Sequence, residues 1–246
     1  MILGGRSGIA NLFRSPVARG ARLAVLGLSA LLLSWSAKPV SAADEDGQIW
    51  IGWFNEGTFK FNDNVGWWLE GQTRWRDVGE TYHQFLVRPA LGYWFDDSSA
   101  AWVGYAYSRV FNDDGPRGEH RSWIGYNFYW PGIKPLSVIL RTRLEQRWFD
   151  RSNEVGHRIR QLVRVSHPIA GLRNVDWVLR NETFFYLNNT DFGALQGYED
   201  NRAFIGIAIH RHDKSRMEFG YMNKFGRGRP NDTIDHIIAA SLYMKF

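Results

Sequence analysis

Residues 233–246 read Thr-Ile-Asp-His-Ile-Ile-Ala-Ala-Ser-Leu-Tyr-Met-Lys-Phe. Every second position, from Ile234 through His236, Ile238, Ala240, Leu242 and Met244 to Phe246, is apolar or nearly so. A period of two places these side chains on one face of a β-strand. An alternating strand that ends on an aromatic residue predicts the closing strand of an outer-membrane β-barrel of Gram-negative bacteria. In that setting the apolar face meets outer-membrane lipid, and the strand ending at Phe246 is what the barrel assembly machinery reads.

The other end of the chain fits export. Arg6, Arg14, Arg19 and Arg22 form a basic leader, and residues 23–37 are largely apolar. Fifteen residues fall short of the ~20 needed to span a bilayer as a helix. Small residues around Ala42 then predict cleavage, giving a signal peptide at residues 1–42 and one domain at residues 43–246. The absence of Cys excludes a disulfide framework, thiol chemistry and a lipoprotein anchor.

Charge changes meaning once the leader is set apart. It holds five of the 30 basic residues and no acidic one, leaving 25 residues of each sign. The basic character of the whole chain therefore belongs to targeting, and no nucleic-acid partner is implied. The remainder carries most of the 12 Trp, 10 Tyr and 16 Phe. Many aromatics in a moderately polar chain suit a lipid-facing band that alternates with a polar lumen.

The alternation recurs along the chain. Leu69, Thr73 and Trp75 interleave with Glu70, Gln72, Arg74 and Arg76; Leu140, Leu144 and Trp148 interleave with Arg141, Arg143, Glu145 and Arg147. Turn-rich segments separate the strands, and short and long ones alternate, as for short periplasmic turns and longer extracellular loops. The expected fold is all-β: a single closed antiparallel transmembrane β-barrel of about 10–12 strands. Eleven segments can be read, whereas bacterial single-chain barrels have even counts. The expectation is therefore that one segment is not a full strand or that two are merged. Repeated Gly-Tyr pairs (Gly92-Tyr93, Gly104-Tyr105, Gly125-Tyr126, Gly220-Tyr221) predict places where a neighbouring side chain lies close to the backbone.

With these residues in view, the chain resembles a bacterial family, domain of unknown function 2490. The similarity runs from about Ile49-Trp50 to Phe246. It is carried by Arg141-x-Arg143-Leu144-Glu145-Gln146-Arg147-Trp148, by Arg158-x-Arg160 and by Gly220-Tyr221-Met222-Asn223. The resemblance implies an outer-membrane barrel with no established activity and brings no catalytic residues.

The polar face is strongly basic. It carries Arg74, Arg76, Arg88, Arg141, Arg143, Arg147, Arg158, Arg160, Arg164, Arg180, Arg202, Arg216 and Lys224 against Glu70, Glu145, Glu182 and Glu218, with the other acids mostly in turns and loops. One reading is a structural network of Arg–Glu ladders that fills the barrel. The other is a narrow channel or binding site for small anionic solutes, since arginine suits phosphate and carboxylate. A structural barrel that acts through its extracellular loops is the alternative to an anion pathway. A third reading takes His120-Arg121-Ser122 as the nucleophile and base of a lipid acyl hydrolase, although the orienting acid is unidentified and i, i+2 side chains on a strand lie ~6–7 Å apart. No phosphate loop or dinucleotide fingerprint is present. His210-x-His212 and Asp113-Asp114 read as exposed turn residues, and the chain is expected to need no cofactor or metal.

Overall fold

The computed structural model describes residues 43–246 except 113, 114, 133, 212, 229 and 230. The expected signal peptide, Asp113-Asp114 and His212 lie outside the described residues. Eleven strands follow one another: β1 (Asp44–Phe59), β2 (Asn62–Arg76), β3 (Thr81–Asp96), β4 (Ser99–Asn112), β5 (Gly115–Tyr129), β6 (Ser137–Phe149), β7 (Gly156–Pro168), β8 (Val175–Tyr186), β9 (Gly197–His210), β10 (Ser215–Gly226) and β11 (Thr233–Lys245). They form one closed barrel. Among the described residues no helix is long and apolar enough to cross a membrane.

Consecutive strands pair antiparallel, and the barrel closes through a parallel pair, β1 with β11, in register from Asp44↔Thr233 to Glu56↔Lys245. The eleven-segment reading is therefore correct, and the expectation of an even number is not. An odd count forces first and last strands to run the same way. Parallel pairing is permitted there because no short connection has to join the two strands.

Register also sets the barrel's shape. A path of paired residues runs from Thr58 through Gly66, Gly92, Trp102, Gly125, Arg143, Arg160, Phe184, Asp200, Gly226 and Thr233 to Asp44. It returns to β1 fourteen residues from where it began. With ordinary strand rise and spacing, that stagger tilts the strands by roughly 40° from the barrel axis.

We call the end that holds the start of β1 the upper rim and the end that holds Phe246 the lower rim. Connections 77–80, 150–155, 187–196 and 227–232 lie on the upper rim; 60–61, 97–98, 130–136, 169–174 and 211–214 lie on the lower. The expected alternation of long and short connections holds only in part. β5 begins at Gly115 and β9 at Gly197, inside segments whose Gly and polar residues read as loops.

The two faces of the wall are opposite in kind. Leu144 is 45% exposed on the outside, while its neighbours Arg143 and Glu145 are 4% and 2% exposed on the inside. Ile51, Leu91, Val103, Ile124, Leu179, Ile205 and Ile238 are likewise exposed, and Glu70, Arg88, Arg158 and Glu218 are buried. A soluble barrel with an apolar core would show the reverse. Apolar residues do line parts of the interior: Trp102 and Trp123 pack with Ala90 and Ala100, and Phe204, Met222 and Ile237 with Val178 and Ala208. Gly92 and Gly104 make room for two of these rings. A Cβ on either would come within 2.5 Å of Trp102 or Trp123, so the Gly-Tyr positions do serve close approach.

Candidate functional site: the charged lumen

Much of the interior charge is organised as shared carboxylates: Glu119, Glu145, Glu182, Glu199 and Glu218 are each held by two or three arginines. At the upper rim Glu119 accepts from Arg121 Nε at 2.7 Å and Nη2 at 2.6 Å, and also from Arg147 Nε. Arg147 Nη1 donates to Tyr186 and, at 3.1 Å, to Glu199. Arg158 bridges Glu199 and Glu145, with Nη1 to Glu199 Oε2 at 2.8 Å and Nη2 to Glu145 Oε2 at 2.5 Å. Arg160 then joins Glu145 at 2.6 Å to Glu182 at 2.9 Å, and Arg141 reaches the same Glu182 at 2.9 Å. The result is a continuous ladder across β5 to β9. Charge-assisted bonds of this length are the stronger kind, and they offset the rotamer entropy and desolvation that fixing these buried side chains costs.

A second group lies on β2 and β3. Arg88 Nη1 donates to both oxygens of Glu70, at 2.7 and 2.8 Å. Arg74 donates to Gln84 and Gln72, both at 2.9 Å, and its guanidinium sits 3.7 Å from the centroid of Trp50. Arg202 donates to Asp200 at 3.0 Å and lies over Phe184; Lys224 donates to Asp235 at 2.6 Å.

The third group is at the lower rim. Glu218 accepts from Arg164 at 2.7 Å and from Arg216 at 3.0 Å, with Arg180 3.7 Å away.

Sequence reasoning placed the arginines well and the acids poorly. Glu119, Glu199, Asp200 and Asp235 are lumen residues, not loop residues, so the network is better matched than the sequence suggests. Arg121, opposite Arg147 on the neighbouring strand, also joins the lumen. Glu199 is the extra residue of a β-bulge: β9 pairs Asp200 with Phe184 and Tyr198 with Phe185, which leaves Glu199 between them. A strict period of two misses such a residue. A second bulge lies between Arg74 and Trp75; beyond it Arg76 is not among the residues that line the cavity.

Arg143 is the exception among the expected residues. It is buried, stacks 4.0 Å from the Trp123 ring centroid, and has no hydrogen-bond partner for Nε or Nη1. Ring contact replaces a carboxylate there.

The network leaves a cavity of about 520 Å³. Its lining runs from Val110 and Phe149 near the upper rim to Met244 and Lys245 near the lower. Fourteen Lys and Arg face it against seven Asp and Glu. Three acids of the network, Glu145, Glu218 and Asp235, do not line the cavity, whereas the arginines and the lysine that hold them do. What faces the space is therefore more basic than the network as a whole.

His120 and Ser122 are not paired with each other. The Tyr105 hydroxyl meets His120 Nδ1, Asp150 lies 3.7 Å from Nε2, and the His120 ring stacks on Trp148. Ser122 Oγ donates to Gln146 at 3.2 Å instead. His210 contacts Asp176 at 3.0 Å, and among the described residues no group of three or more His, Cys, Asp or Glu is arranged to hold a metal.

Comparison with known proteins agrees with the fold. The family model described as Protein of unknown function (DUF2490) matches residues 47–235. The chain belongs to this family. The match covers β1 through the start of β11 and so includes every strand of the Arg–Glu ladder. An uncharacterised protein of Methylorubrum extorquens is 34% identical over 230 residues, covering 91% of this chain and 96% of that protein. This DUF2490 member thus shares its barrel region with a relative of nearly equal extent.

Proposed function

We propose that this DUF2490 member is an integral outer-membrane barrel, exported by a cleaved leader, whose basic lumen admits and holds small anions, with no catalytic role. The observation that carries the reading is the inverted wall: apolar residues outside, paired charges inside, and a cavity with twice as many cations as anions on its surface. An exposed apolar belt around a closed barrel is costly in water and favourable in lipid. Arginines with spare donors facing a confined space of low dielectric attract anions and disfavour cations. Assembly through the C-terminal strand ending at Phe246 belongs to the same reading.

Two measurements test it. Membrane fractionation with heat-modifiable mobility in detergent gels should place a compact barrel in the outer membrane. Refolded protein in planar bilayers under a salt gradient should give a reversal potential of the sign expected for anion passage. Recovery in the soluble periplasm removes the membrane reading. A silent barrel, or one that prefers cations, removes the anion pathway.

A further inference from the structure

The excess positive charge is not spread evenly along the lumen. At the lower rim Arg164 from β7, Arg180 from β8 and Arg216 from β10 converge on a single carboxylate, Glu218. Three positive charges thus pair with one carboxylate, while Glu56 of β1 faces the cavity at the same rim and acts on Arg216 from a distance. Glu218 is 2% exposed and does not line the cavity, whereas all three arginines and Tyr243 do. The acid sits against the wall with its arginines in front of it.

Arg180 has the most binding capacity left. Its contacts to Glu218 and to the Tyr243 hydroxyl are long, at 3.7 and 3.5 Å, and no closer carboxylate contact occurs among the described residues. Aromatic rings hold the guanidinium planes: Arg180 lies 4.5 Å from the Phe204 centroid and Arg216 4.0 Å from that of Tyr243. The forks are preorganised but not saturated.

We infer that this cluster is a binding site for a small oxyanion of the phosphate class. A planar guanidinium presents paired N–H donors at the spacing of two oxygens on one centre, which favours an oxyanion over a halide of equal charge. The Tyr243 hydroxyl adds a neutral donor. The inference rests on the reading that the lumen takes anions, and it goes further by naming the place and the ligand class.

The test uses the full barrel refolded in detergent at low ionic strength, titrated calorimetrically with inorganic phosphate and, separately, with chloride. Wild type should bind phosphate at one site in preference to chloride. Arg180→Gln should weaken phosphate about ten-fold or more, the scale of one lost charge-assisted pair. Tyr243→Phe should weaken it less, and Arg151→Gln, exposed on an upper-rim connection outside the lumen, should leave it unchanged. Heat-modifiable mobility confirms that each variant is folded. Wild-type affinity in folded Arg180→Gln overturns the site. Anion-selective current without phosphate binding also overturns it while leaving the anion pathway intact. Phosphate binding lost in Arg180→Gln but without anion-selective current keeps the site and removes the pathway.

Discussion

At the upper rim four arginines, Arg121, Arg147, Arg158 and Arg160, share three carboxylates, Glu119, Glu145 and Glu199, each pair within 3.1 Å. At the lower rim Arg164, Arg180 and Arg216 share one ion-pair partner among the described residues, Glu218, although Glu56 and Asp213 also face the cavity at that end. The residue types are the same, so composition does not separate the two ends; the ratio of acid to base and the placement of the acid do. Where charges match, a buried network holds strands together. Where they do not match, and the acid is hidden, the same side chains offer donors to the cavity.

That contrast can be broken at the matched end first. Glu145→Gln strips a fully buried partner from both Arg158 and Arg160. Arg158 keeps Glu199 and Arg160 keeps Glu182, but two buried pairs are broken at once; breaking a buried pair typically costs ~3–5 kcal/mol, so urea unfolding of the refolded barrel should shift to markedly lower denaturant. A loss under ~1 kcal/mol would mean that water already compensates these arginines.

Glu218→Gln sharpens the comparison. Two of its arginines are more open to water than those of Glu145, with Arg180 and Arg216 side chains 20% and 32% exposed against 3% and 7% for Arg158 and Arg160, so the stability cost should be smaller, about 1–3 kcal/mol. Removing the hidden negative charge should also tighten phosphate binding. Unchanged or weaker phosphate affinity would show that Glu218 orients the guanidinium groups more than it offsets their charge.

The smallest effect should come from Arg143→Met. Arg143 has a ring neighbour in place of a hydrogen-bonded carboxylate, and a flexible apolar chain of similar length keeps that contact. Stability by the same unfolding measurement should change by less than ~1 kcal/mol in either direction. A large loss would reveal a partner supplied by buried water.

The fold was legible because this wall, apolar outside and charged inside, writes its pattern twice, as apolar and charged residues in alternation. The same signal located the arginines that line the lumen. Two features escaped it. Strand parity was inferred from what such barrels usually do, whereas this chain closes through a parallel pair that no local pattern announces. The acids at the upper rim were hidden by local chemistry. Gly115-Pro116-Arg117-Gly118-Glu119 and Gly197-Tyr198-Glu199-Asp200 have the composition of turns, yet ladder hydrogen bonds carry both into the wall, and a bulge breaks the period at Glu199. The unevenness of charge along the axis needed register, which only tertiary pairing supplies.

The most direct measurement of that unevenness uses the lack of Cys. Single cysteines at Ser241, toward the lower rim, and at Val110, near the upper rim, both face the cavity. Each variant would be reacted in turn with an anionic and a cationic thiol reagent of equal size, and the ratio of the two rates reports the local potential. We predict a clear preference for the anionic reagent at Ser241→Cys and little or none at Val110→Cys. Equal ratios at the two positions, or a cationic preference at Ser241→Cys, would contradict the account.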